Sequence, residues 1–99
     1  MKDVIITVVK KAEHKDLIEK YENPITHACA LSEGQVFVSK NAEIPKGFCE
    51  SAWQNLYPFV FSLSCGATDI YDGWMKKKNS AMISCNDGFR PVSFYLESI

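Results

Sequence analysis

The run Val4-Ile5-Ile6-Thr7-Val8-Val9 is β-branched almost without interruption. Apolar groups at both parities predict a strand covered on both faces. Lys10 and Lys11 close the run. Between His14 and Tyr21, the residues Leu17, Ile18 and Tyr21 recur at helical spacing and predict a short amphipathic helix. Asn23 precedes Pro24 and ends it, because the residue before a proline disfavours helical backbone. Ile25 to Glu33 follows neither period and reads as a loop. Past Gly34, Gln35-Val36-Phe37-Val38-Ser39 predicts a second strand.

Asn41 to Gly47 reads as a turn region. From Phe48 onward the period becomes helical, with Cys49, Ala52, Trp53, Leu56, Val60 and Leu63 on one face. Pro58 falls inside this run and predicts a kink or break, since it cannot donate to residue 54. Gly66 predicts the helix stop. Thr68 to Ser80 is polar and holds Asp72-Gly73-Trp74 and the run Lys76 to Lys78, read as a solvated loop. Ala81 to Cys85 predicts a third strand with Ala81, Ile83 and Cys85 on one face. Asn86-Asp87-Gly88-Phe89-Arg90 is a turn, and Val92, Phe94 and Leu96 alternate with Ser93, Tyr95 and Glu97 in a final half-buried strand. The order β-α-β-α-β-β predicts an α+β fold. It is a small single domain over residues 1–99, with an antiparallel or mixed sheet packed by a kinked helix and a C-terminal hairpin.

The totals narrow the function class. With 99 residues, 46% hydrophobic and 23% charged, the chain has the composition of an ordinary globular domain. A net charge of −1 supplies no field to attract nucleic acid or an anionic membrane. The cations are ten lysines and one arginine, Arg90, so guanidinium forks for phosphate are nearly lacking. Nucleic acid and membrane are therefore not expected partners. The longest apolar stretch, Leu56 to Leu63, contains Pro58 and is shorter than the roughly 20 residues of a membrane span. The N-terminal apolar run stops at lysines with no small-residue cleavage site, so no export signal is read. A cytoplasmic location is expected, in which the four cysteines stay reduced.

Two segments are distinctive as motifs. One is Pro45-Lys46-Gly47-Phe48-Cys49-Glu50-Ser51-Ala52-Trp53-Gln54-Asn55-Leu56-Tyr57-Pro58. The other is Gly73-Trp74-Met75 followed by Cys85-Asn86-Asp87-Gly88-Phe89-Arg90-Pro91-Val92-Ser93-Phe94. With the opening strand and Glu33-Gly34-Gln35-Val36-Phe37, they resemble an uncharacterised family of small bacterial and archaeal proteins of about this length. Its members carry Gly-Phe-Cys…Ala-Trp…Tyr and Asp-Gly-x-Arg-Pro-Val-x-Phe. The resemblance covers nearly the whole chain. It implies no particular activity, but it does imply cysteines at three places, which correspond here to Cys29, Cys49 and Cys85. This chain has Ala30 where the family has proline, and Ser84 where a second cysteine often stands. Cys65 has no family counterpart.

Cys49, at the first turn of a helix, would meet unpaired N–H groups and the positive end of the helix dipole, which favour a reactive or ligating thiolate. Cys85 ends a strand facing the core, and Cys29 comes from the loop before the second strand. If the three converge, their thiolates suit zinc or an iron–sulfur cluster, and His27 is the candidate fourth ligand. The spacings of 20 and 36 residues include no short chelating pair. The competing reading is that each thiol is a small buried hydrophobe, Cys49 packing beneath Trp53 and Leu56. Arg90, beside Asp87 and before Pro91, is a candidate to bind a carboxylate or phosphate of a ligand; its alternative is an ion pair within the turn or with another subunit. Trp53, Tyr57, Phe59, Phe61, Trp74, Phe89 and Phe94 predict an aromatic-rich core, a pocket lining or a homo-oligomer interface. No residue is assigned a catalytic role. The leading expectation is a redox or accessory protein with a thiolate-held metal or cluster, and the alternative is a binding or assembly module with buried thiols.

Overall fold

The computed structural model describes residues 1–26 and 29–99. Its elements are β1 (Val4–Lys11), α1 (Lys15–Tyr21), β2 (Val36–Ser39), α2 (Glu50–Ser64), β3 (Ser80–Ser84) and β4 (Val92–Ser98). The four strands form one antiparallel sheet in the order β2-β1-β4-β3. The expected α+β order and C-terminal hairpin are present, and the sheet is wholly antiparallel rather than mixed.

One face of the sheet makes the core. Val4, Ile6 and Val8 of β1, Val92, Phe94 and Leu96 of β4, and Ala81 and Ile83 of β3 are buried. They meet Ala52, Leu56, Val60 and Leu63, which recur every three or four residues along α2. The opposite face stays open: Val36, Val38 and Met82 are exposed and Ile5 and Thr7 only half-buried. The two-sided cover expected for β1 is therefore wrong. Its continuous β-branched run is a one-sided strand whose outer residues are apolar, because α2, the single long helix among the described residues, covers one face.

Pro58 leaves α2 continuous from Glu50 to Ser64, so of the expected kink or break the break does not occur. The proline occupies an exposed position, and the buried stripe on either side of it holds the helix together against the sheet. The missing hydrogen bond still weakens the helix. Pro58→Ala should raise the urea midpoint, by up to about 3 kcal/mol in stability. An unchanged midpoint would mean the helix has already relaxed around the ring. At its C-terminus Gly66 takes φ +91°. There the Gly66 N–H donates to the Leu63 carbonyl and the Ala67 N–H to Ser62, the double closure that a left-handed residue permits.

The aromatic residues divide. Phe94 and Phe48 are buried, Trp53 and Phe59 partly so, while Tyr57 and Phe61 are exposed on the outer face of α2 and Trp74 is 81% exposed. Of the seven aromatics named for a core, a pocket lining or an interface, Phe94 alone is fully buried, Trp53, Phe59 and Phe89 are half-buried, and Tyr57, Phe61 and Trp74 are exposed. The lysine run is exposed as expected; Lys77 also pairs with Glu97 of β4, and this hydrogen bond and charge raise its pKa above the ordinary value. Among the described residues no helix is long and apolar enough to cross a membrane.

Candidate functional site

At the end of the sheet where α2 begins, a cavity of about 630 Å³ opens between three segments distant in sequence. Cys29, Cys49 and Cys85 all line it, along with Arg90. Each sulfur arrives by a different local device. Gly47 adopts φ +79°, which turns the chain so that Phe48 enters the core and Cys49 becomes the N-cap of α2. The Cys49 side chain makes no capping hydrogen bond, so its sulfur is left to the cavity while its carbonyl accepts the Trp53 N–H that opens the helix. Cys85 follows β3 and continues the hairpin ladder: its N–H donates to the Val92 carbonyl at 2.9 Å. The Val92 N–H donates back to the Cys85 sulfur at 3.2 Å. Cys29 folds over its own backbone, and its sulfur accepts the Leu31 N–H at 3.4 Å.

All three cysteines are partly exposed rather than sealed in the core. The buried walls are apolar, from Leu31, Ala52, Val92 and Phe94, and the exposed side carries Ser51, Asn86 and Asp87. Cys65 is exposed at the C-cap of α2, 16 residues beyond Cys49 and thus about 24 Å away along the helix axis. Among the described residues no three His, Cys, Asp or Glu side chains are grouped to hold a single metal ion. His27, the expected fourth ligand, lies outside the described residues.

Arg90 has a different partner from the one the turn suggested. Its guanidinium reaches the Glu22 carboxylate just past α1, with Nη1 at 2.8 Å from one oxygen and 3.0 Å from the other. Both side chains are largely buried, at 23% and 14% exposure. The Asp87 carboxylate instead accepts the backbone N–H groups of Phe89 and Arg90, at 2.8 and 3.0 Å. That side-chain turn is what shapes the hairpin loop.

Two residues of the site escape the sequence pattern. Glu22 looks like a helix-end carboxylate, and Lys11 like a strand-end cation. Lys11 faces the cavity end because of a β-bulge: the β1–β4 register slips between Val8 and Lys10, leaving Val9 as the extra residue. Lys10 then opposes Ser93 and Lys11 opposes Val92, on the core side. Its ammonium donates to the Leu31 carbonyl at 2.6 Å and to the Cys29 carbonyl at 3.4 Å. Val92 thus pairs with Lys11, which holds the Cys29 segment, and donates to the sulfur of Cys85.

No family model, curated protein or solved structure matches this chain.

Proposed function

We propose that the three-cysteine cavity binds an iron–sulfur cluster or a thiolate-held metal ion, in a cytoplasmic redox or accessory role. The observation that carries this reading is the lining of one cavity by Cys29, Cys49 and Cys85, which come from a loop, a helix start and a strand end. Thiolates are the ligands that soft metals and iron–sulfur clusters select.

Zinc and a cluster differ in the span they need. A tetrahedral zinc holds sulfur at about 2.3 Å, which brings its ligands within about 4 Å of one another. Among the described residues no three ligating side chains are grouped for a single ion. Several irons bridged by sulfide form a larger body and take their cysteines from wider apart. The backbone N–H groups directed at the Cys29 and Cys85 sulfurs are of the kind that tunes a cluster's potential.

The test is to purify the chain without oxygen, record its visible spectrum, and quantify iron, sulfide and zinc per chain. Coloured protein with iron and sulfide is expected. One zinc per chain without colour would move the assignment to zinc. A folded, metal-free protein would remove both. What would then stand is the second reading, a binding or homo-oligomeric assembly module, which the exposed Val36, Val38, Met82 and Trp74 favour.

A further inference from the structure

Among its described residues, the segment that carries Cys29 has no strand or helix of its own between Tyr21 and Val36. Backbone bonds tie its end to β1, the Gly34 N–H donating to the Val8 carbonyl and the Gln35 carbonyl accepting the Val8 N–H, and side chains hold the part nearer Cys29 in place. Two cations do so from opposite ends. At the start, the Glu22 carboxylate is gripped by Arg90 of the hairpin that carries Cys85. At the far end, the Lys11 ammonium takes the carbonyls of Leu31 and Cys29, and the Glu33 carboxylate accepts the Lys11 N–H at 2.8 Å. Leu31 is itself buried, so this end is also packed.

We infer that Lys11 and the Arg90–Glu22 pair are positioning residues that hold Cys29 against the cavity, so that its sulfur joins those of Cys49 and Cys85. This rests on the thiolate-site reading for its purpose but not for its geometry. Lys11 can act this way only because the bulge at Val9 turns it to the core side; without the extra residue it would face the open side of the sheet. The Arg90–Glu22 pair joins the Cys29 segment directly to the Cys85 hairpin across 68 residues of sequence. Being largely buried, it is screened less by salt than a surface pair.

The experiment is alkylation of metal-free, reduced protein by iodoacetamide, with the rate at each cysteine read by peptide mass spectrometry. In Lys11→Met and Glu22→Gln the Cys29 rate should rise about tenfold, equivalent to about 1.4 kcal/mol of lost closure. The rates at Cys49, Cys85 and Cys65 should stay within about twofold, as expected where opening is local. Lys11→Arg should restore the slow rate, because it keeps the cation. The inference is overturned if Cys29 is no faster in either variant. It is equally overturned if Cys29, Cys49 and Cys85 speed up together, since that reports general loosening. Should Lys11→Met fail to fold, Glu22→Gln decides alone, since it removes one charge and little volume. Because the readout needs no metal, a metal-free wild type would sink the cluster reading and leave this one standing. Unchanged alkylation beside an intact cluster would do the reverse.

Discussion

Phe94→Ala is expected to lower the stability of the fold by about 3–5 kcal/mol, the range for removing a fully enclosed aromatic ring. Phe94 is 0% exposed and sits midway along β4, a central strand. It lies opposite Val8 of β1 on one side and Ile83 of β3 on the other. Its ring packs at 5.4 Å from that of Phe48, which is in turn 4.9 Å from Phe37 and 6.0 Å from Trp53. Loss of the ring leaves a void at the junction of sheet, helix start and β2, where three elements cannot collapse together. A domain of this size has a total stability of about 5–15 kcal/mol, so the loss is a large share of it. Urea unfolding followed by circular dichroism is the measurement, with Trp74→Ala as the comparison. Trp74 is 81% exposed, and its replacement should change stability by no more than about 0.5 kcal/mol. Equal midpoints for the two variants would mean that the core is not centred on Phe94. Phe94 also lines the cysteine cavity, so this variant should loosen the site as well.

The second large effect concerns the cysteines. Serine is close to cysteine in shape but offers a harder oxygen in place of a thiolate, so it tests ligation more than packing. Cys29→Ser, Cys49→Ser and Cys85→Ser should each lower the bound iron by about tenfold or more, at least the scale seen when a mere supporting partner of a ligand is lost. Cys65→Ser, at the far end of α2, should leave it unchanged. Circular dichroism should be alike in all four, since each of these cysteines is partly or fully exposed and none fills the buried core. Equal iron in the Cys49→Ser and Cys65→Ser proteins would end the site assignment. Loss of iron in all four together would point to unfolding instead.

The degree to which each part was legible in the sequence follows from the range of the forces involved. The period of α2, the alternation in β4 and the turn residues at Gly34, Gly66 and Asp87-Gly88 are local, and they placed every element within about two residues, the usual margin for element ends. The facing of β1 was not legible. A run apolar at both parities says that either face can be buried, and only the number of helices decides which is. Pro58 carried a local signal for a kink or break, and the helix runs on through it between the buried Leu56 and Val60.

The candidate site shows the same division. The sequence singled out Cys29, Cys49 and Cys85 but left their convergence open, and all three line one cavity. Their distances from one another were not, because no short chelating pair fixes them. Arg90 was legible as a lone guanidinium near Asp87, but its bond to Glu22 was not, since nothing local links residues 22 and 90. Lys11 was hidden by one extra residue in β1, which reverses the side of every residue beyond it.

What the chain determined by itself is the order and kind of its elements, since those depend on periodicity, proline and glycine within a few residues. The tertiary structure alone decided which sheet face is covered, which way Lys11 turns, and which carboxylate holds Arg90. Each of these is a pairing between segments far apart in the chain, set by register and packing rather than by any local preference.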